Sequence, residues 1–343
     1  MKPNVFTLIA LVSLSANLAT AEQPPAFMGD WAGRYIDPAN GTPGVRNPTL
    51  LARIIGKEDN TFEVQFLNAF ERRAKPDFQR EIKTRKNRLQ YKDERWEFQI
   101  EGDTLSGAQI VRLRNGKTVR APFEMKKIVR LSPTLGRPAP EGADILIGKN
   151  LDQWQHKEGQ PATWKLVADD TMEIFPQRSG NKDGGSLYTK KSYKDCEIHL
   201  EFKLPYEPEN SGAGRSNSGI FIQNNYEVQI LDSYGVDSGW TDCGALYKVS
   251  PSKVNRCSPP EQWQTYDIVF RAARYDSSGE LQEHPVITVL HNGRPIHKDE
   301  VIPEIPYNTE IRRLAPHPNE PLPIYLQDHG HSIQFRNIWV KAL

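Results

Sequence analysis

The sequence predicts an all-β protein, with a C-terminal two-sheet jelly roll preceded by a small β domain. Three observations carry this. Short segments of alternating apolar and polar residues recur along the chain, separated by Gly, Asn and Asp turns. No helical period of useful length interrupts them. The composition is rich in turn formers, with 24 Gly and 26 Pro, and aromatics make up 9% of residues. A length of 343 residues is enough for two domains.

Residues 1–21 read as an export signal. Lys2 supplies the positive charge, residues 5–19 the apolar stretch, and Ala19-Thr20-Ala21 the small-x-small cleavage site. The mature chain is expected to start at Glu22 and to be periplasmic or secreted. No Cys lies near the cleavage point, which argues against a lipoprotein. No later stretch reaches the roughly 18 apolar residues a membrane span needs. Residues 22–132 form the small N-terminal β domain, with GDWAGRY, LLARIIGK, TFEVQFLNAF, RWEFQIEGDTLSGAQIVRL and FEMKKIVRL as its strands. Within it, residues 71–95 hold ten basic and five acidic side chains, read as a solvated strand pair or loop. Overall, 44 Lys and Arg balance 43 Asp and Glu, so no net field draws nucleic acid or an anionic membrane.

The stretch SPTLGRPAPEGA follows and reads as a semi-rigid linker, assigned to residues 133–143. Residues 144–343 carry nine further strand segments, from GSLYTKK to SIQFRNIWVKAL, and form the jelly roll. Residues 205–216, rich in Pro, Gly and Ser, make a surface loop able to wall a cleft. Of three cysteines, Cys196 heads a strand and reads as a buried free thiol. Cys243 and Cys257 lie in loops that a disulfide can close, as export permits. No zinc-ligand spacing occurs.

The densest chemistry lies in residues 217–235, NSGIFIQNNYEVQILDSYG, which read as two strands joined by an Asn-Asn turn. Glu227 and Gln229, two apart, share one sheet face. Asp232 reaches that face if a β-bulge intervenes. Two carboxylates and an amide together suit a solvent-reachable sugar cleft, and buried without partners they would be too costly to keep.

The second unit resembles the bacterial 3-keto-disaccharide hydrolase family, concanavalin-like jelly rolls common in exported proteins. The matching segments are ILIGKNLDQW, GGSLYTKKSYKDCEIHLEFKLP, NSGIFIQ, YEVQILDSYG, GALYKVSPS, EQWQTYDIVF, LHNGRPI and PIYLQDHG…IQFRNIWVKAL, in order across residues 144–343. The resemblance implies a carbohydrate substrate already oxidised at C3 by a separate 3-dehydrogenase. A C3 carbonyl acidifies the C2 proton. Its removal allows the C1 oxygen to leave by β-elimination, and water then adds to the enone. Such a site needs a base, a donor or cation for the enolate oxygen, and an acid. No organic cofactor follows.

For catalysis the candidates are Glu227, His329 and Lys248. His329, in LQDHG, titrates near neutral pH but also suits a backbone-bonded turn. Lys248, after GALY, can steady an enolate or simply face solvent. For substrate binding they are Asn217, Gln229, Asp232, Tyr247, Trp240 and Gln327. Asn217 equally satisfies a local turn, and Tyr247 can pack under the sheet. Trp240, loop-borne, is the better sugar-stacking candidate beside Trp263. Trp154, Trp164, Trp339 and His199 read as structural, and His331 as exposed. A divalent cation on Asp232 and nearby backbone oxygens is a further option. The E-x-Q-x-x-D spacing echoes laminarinase-type glycosidases, but Gln229 replaces the middle carboxylate of their double-displacement machinery. The competing readings are a non-catalytic carbohydrate-binding module and an ordinary glycosidase.

Overall fold

The structure, a computed structural model, describes residues 23–36, 49–70, 75–84, 88–176, 185–304 and 316–343. The expected signal segment lies outside the described residues, as do 71–74 and 85–87 of the basic stretch.

The N-terminal unit is one antiparallel sheet of eight strands. Strands Gly29–Tyr35, Thr49–Gly56, Thr61–Leu67 and Phe78–Lys83 follow one another on one side. Gln90–Lys92, Trp96–Glu101, Thr104–Arg112 and Thr118–Ile128 follow on the other, and Thr118–Ile128 pairs back onto Gly29–Tyr35. This is an up-and-down meander whose two edge strands are neighbours in the chain. The sheet rolls until those edges approach: the rings of Phe78 and Tyr91 meet edge-on with centroids 5.2 Å apart. Eight strands leave an interior that side chains can fill. Phe66 fills its centre, with Phe78, Trp96, Phe98 and Phe123 at 4.6 to 5.6 Å. The basic stretch thus contains two short strands. Its charges face solvent and pair locally, as Lys83 does with Asp59 and Lys92 with Glu97 at 3.4 Å.

The C-terminal unit is the two-sheet jelly roll. One sheet has five strands in the order Trp154–Gln155, Leu187–Tyr193, Leu322–Leu326, Ser218–Ile222, Tyr226–Ile230. The other runs Lys165–Ala168, Thr171–Glu173, Gln334–Ala342, Cys196–Lys203, Trp263–Arg271, Val286–His291, Arg294–Val301, with Asp144–Ile145 paired onto Gln334–Ala342. Alternate residues of each strand meet in one core. Leu187, Ile220, Val228 and Leu326 come from the smaller sheet, and Ile198, Phe202, Ile268 and Val340 from the larger. Trp154 and Trp164 are buried in this core, and Cys196 is a buried free thiol whose pKa burial pushes up to about 12. The disulfide that export permits between Cys243 and Cys257 is not present. Cys243 and Cys257 are both buried free thiols: Cys243 Sγ lies 3.2 Å from the Tyr266 hydroxyl, and Cys257 Sγ faces the Leu231 carbonyl at 3.6 Å.

The proline-rich segment does not hang free. It crosses the outer face of the larger sheet and roofs a charged cluster. His199 sits on that face, fully buried, with Nδ1 2.8 Å from Asp267 and Nε2 3.6 Å from Glu201. The Thr134 hydroxyl donates to Asp267 at 2.7 Å, and the Gly136 N–H donates to Glu201. The Arg137 guanidinium bonds Asp267 and Glu197 and lies 5.1 Å above the Trp339 ring. Arg336 completes the cluster on Glu201 at 2.8 Å. Burial alone would lower the His199 pKa; its bonds to Asp267 and Glu201 more than offset this and raise it. Burial likewise works against Asp267 and Glu201, yet His199 and the other donors lower both, Glu201 to about 2.

The two domains meet at a second polar knot. Asp30, from the first sheet, accepts from Arg130 at 2.6 Å, from Arg53 at 3.4 Å and from the Tyr234 hydroxyl of the jelly roll at 2.8 Å. Arg215 reaches across to the Gly56 carbonyl at 3.1 Å. Gly235 must be glycine: its φ is +83°, and a Cβ there would stand 2.2 Å from Ile55 Cδ1.

A histidine with a raised pKa stabilises the fold fully below its unfolded pKa of about 6.5, and that stabilisation is lost as pH rises through the folded value. The two carboxylates work the other way, stabilising above about 4.5 and losing effect toward pH 2. The cluster is therefore expected to contribute most between about pH 4.5 and 6.5. Melting curves from pH 5 to 9 should show wild-type stability falling with pH, with a flatter profile for His199→Gln. Asp267→Ala should cost about 3–5 kcal/mol, because it strands a buried charge.

Candidate functional site

The strand Tyr226–Ile230 sends Tyr226, Val228 and Ile230 into the core. Glu227 and Gln229 therefore share the opposite, outer face of the five-stranded sheet, as the spacing predicts. Register places partners beside them. Phe221 lies opposite Glu227, Tyr325 opposite Phe221, and Tyr188 opposite Tyr325. The three rings form a continuous row, with Phe221 and Tyr325 stacked at 4.0 Å and Tyr325 and Tyr188 at 4.7 Å. On the far side of Glu227 the Tyr247 N–H donates to its carbonyl at 3.0 Å, so Tyr247 ends the row.

Gly219 opens a gap in the next row. A Cβ there would come within 2.5 Å of Glu227 Oε1. The carboxylate thus leans over Gly219, toward Gln327, whose N–H donates to the Gly219 carbonyl at 2.9 Å. The strand Leu322–Leu326 ends just before Gln327, and His329 lies in the bend that follows. Gln327 is half-buried and His329 exposed, so this end of the row is the open one.

Other expectations change. Residues 227, 229 and 232 do not open together into a solvent-filled hollow; they are 5%, 2% and 8% exposed. Asp232 does lie at an irregularity: its N–H bonds the Arg215 carbonyl, one residue out of the Ser218↔Ile230 register. The displacement carries the carboxylate to Arg215, 2.7 Å away, rather than to Glu227. Burial raises the Asp232 pKa and Arg215 opposes the rise. A guanidinium already holds this carboxylate, so it does not suit a divalent cation. Among the described residues no group of three or more His, Cys, Asp or Glu is placed to hold a metal ion. Gln229 is also engaged: its Nε2 donates to the Thr241 carbonyl at 3.2 Å, and its Oε1 accepts from the Ile230 N–H. Asn217 Nδ2 holds the Ala213 carbonyl at 2.8 Å, which fits the local-turn reading.

The rim is built by the segment that Gln229 ties down. Trp240 is 57% exposed, and its carbonyl accepts from the Lys248 N–H at 2.8 Å. Lys248 takes a left-handed backbone, φ +60°, and its Nζ lies 5.5 Å from the Tyr247 ring centre. Trp263 lies elsewhere, on the larger sheet under Arg336 and Lys203. His331 is not exposed: its Nδ1 pairs with Glu207 at 2.8 Å. Burial acts to raise the Glu207 pKa, but His331 and the Ser216 N–H bring it below the usual value. This pair fastens the 205–216 loop to the turn that carries His329. The Asp328 carboxylate accepts from Gly185 N–H, and Asp328 N–H donates to the Ser186 hydroxyl, fixing the same turn from the other side.

The aromatic row, Gly219 and Glu207 were not among the expected site residues. Alternation in SGIFI and PIYL does place Phe221 and Tyr325 outside the core, so they could have been found. Gly219 depends on where a neighbouring side chain leans, and Glu207 on a contact with His331, 124 positions away.

Residues 143–341 match the family model described as the 3-keto-alpha-glucoside-1,2-lyase-like domain. A crystal structure of a candidate glycosyl hydrolase from Parabacteroides distasonis ATCC 8503 is 31% identical, covering 60% of this chain and 86% of that one, with a TM-score of 0.53. Two others from the same organism, with the same description, are 18% and 23% identical; each covers 59% of this chain and 95% or 99% of its own, with TM-scores of 0.42. No curated protein matches. With more than half of its length matched, this chain belongs to the 3-keto-alpha-glucoside-1,2-lyase-like domain family.

Proposed function

We propose that this protein cleaves glycosides whose sugar carries a ketone at C3, by elimination across C1–C2 followed by hydration. The supporting observation is the Glu227 carboxylate, leaning over Gly219 on the outer sheet face at the end of the Phe221–Tyr325–Tyr188 row. A largely buried carboxylate suits proton abstraction from carbon because little water competes for it.

In this reading Glu227 takes the C2 proton, and the C2–H electrons form the enolate across C2 and C3. The enolate collapses, C1=C2 forms, and the C1–O bond breaks with its electrons on the departing oxygen. His329, at the open end, gives that oxygen its proton. Water then adds at C1 of the enone, and a proton returns to C2. Lys248 and Tyr247 stand at the Glu227 edge, where a cation or hydroxyl would steady negative charge. Gln229, Asn217 and Asp232 position loops rather than touch the sugar. A separate dehydrogenase would have to supply the C3 ketone, consistent with an exported site of action.

The laminarinase-type alternative has less support, since its second carboxylate would be Asp232, held by Arg215. A purely binding role predicts uptake of oxidised and unoxidised sugars alike, with turnover of neither.

On a 3-keto-disaccharide, Glu227→Gln and His329→Ala should each lower kcat by about 10²–10⁴, the usual worth of a general acid or base; a near wild-type rate removes that residue from the mechanism. Gly219→Ala should displace the carboxylate and cost about 10²-fold in kcat, while the melting temperature shows that the fold survives. Run in D₂O, the reaction should place deuterium at C2 of the released sugar. Product with no deuterium there would overturn elimination.

A further inference from the structure

Ser216 takes a left-handed backbone, φ +48°, although it carries a Cβ and is fully buried. Such a conformation persists only where its surroundings fix it, and it is found most often at functional sites. Glu207 supplies much of the fixing. Its carboxylate accepts from the Ser216 N–H at 2.8 Å. The Ser216 hydroxyl lies 3.3 Å from the same carboxylate and donates to the Pro205 carbonyl at 2.8 Å. That carboxylate also holds His331 Nδ1 at 2.8 Å. One side chain therefore ties together two segments far apart in sequence.

Those two segments meet at Gly219. Ser216 leads into the strand Ser218–Ile222, and His331 ends the turn that starts at Gln327. The Ser218 hydroxyl donates to the Gln327 carbonyl at 2.7 Å, and the Gln327 N–H donates to the Gly219 carbonyl at 2.9 Å. The contacts close a ring. It runs from Glu207 to Ser216, along the chain to Gly219, across to Gln327, along the turn to His331, and back to Glu207. Gly219 is the residue over which the Glu227 carboxylate leans, and His329 lies within the turn. Removing the Glu207 carboxylate opens the ring at the point where it holds both segments.

The N-terminal domain backs this ring. Its Met28 and Ile55 belong to the jelly-roll core that also contains Tyr206. A Cβ on Gly56 would stand 2.5 Å from the Tyr206 hydroxyl, so the 205–216 loop packs directly on the strand Thr49–Gly56. Arg215 donates to the Gly56 carbonyl at 3.1 Å, and the Asp59 N–H donates to Glu209 Oε1 at 3.1 Å. The loop is thus held by the other domain on both sides of Glu207. We propose that Glu207 is a positioning residue for the reaction, setting Gly219 and the His329 turn against each other, and that the N-terminal domain braces its loop. This rests on the glycoside reading above.

The test uses the full chain and a 3-keto-disaccharide, with hydrogen exchange as a readout that needs no turnover. Glu207→Ala should lower kcat by about 10²-fold, the cost of a small misplacement, with KM little changed. Residues 216–219 and 327–331 should then exchange faster, by about tenfold or more. Glu207→Gln, whose amide oxygen still accepts from the Ser216 N–H and from His331 Nδ1–H, should recover most of the rate. Gly56→Ala, which pushes on Tyr206, and Glu209→Ala, at an exposed position, should speed exchange in the same two stretches. Unchanged exchange there in Glu207→Ala, or faster exchange with wild-type kcat, overturns the positioning role. A glutamine variant as slow as the alanine one does the same. Faster exchange confined to the N-terminal domain in Gly56→Ala, with none from Glu209→Ala, overturns the brace. If wild type turns over no keto-sugar, the glycoside reading fails on its own, and the exchange pattern alone then upholds or overturns the ring held by Glu207.

Discussion

Tyr226, Val228 and Ile230 decide where Glu227 points. Their side chains are fixed in the core between the sheets, and a strand repeats every two residues. A slip of one position would turn all three outward, forfeiting about 1.5–3 kcal/mol for each buried apolar side chain, and would drive a carboxylate into that core. The core therefore holds the carboxylate on the outer face. Everything at the candidate site follows from that orientation, including the aromatic row opposite and the gap at Gly219.

The polar residues of the same segment divide their work. Glu227 lies in the row of rings. Gln229, two residues on, ties down the segment carrying Trp240, and Asp232 neutralises Arg215, which itself reaches the first domain. A buried pair such as Asp232 and Arg215 adds little net stability, but removing either partner is costly. These residues hold the surroundings of Glu227 in place, so similar residue types close in sequence perform different tasks.

Much of the architecture was legible in the chain because period-2 patterning reports directly on half-buried strands. Both sheets of the jelly roll and the shared face of Glu227 and Gln229 could be read that way, and the exposure of Trp240 from its loop setting. What could not be read depended on contacts distant in sequence. The short strands Phe78–Lys83 and Gln90–Lys92 are dominated by charge, so their pattern is weak. The direction taken by Asp232 depends on a guanidinium 17 residues earlier. The pairing of His331 with Glu207, and the free state of Cys243 and Cys257, are set by tertiary packing that spacing alone does not encode.

The strap over His199 has a practical meaning for anyone dividing this protein. Composition marks residues 133–143 as a tether, and a tether invites a cut at its far end. Here the rungs at Thr134, Gly136 and Arg137 belong to the jelly roll. A fragment beginning after residue 143 would expose the His199 imidazole and two carboxylates on a bare sheet, whereas one beginning before Ser132 would keep its own roof.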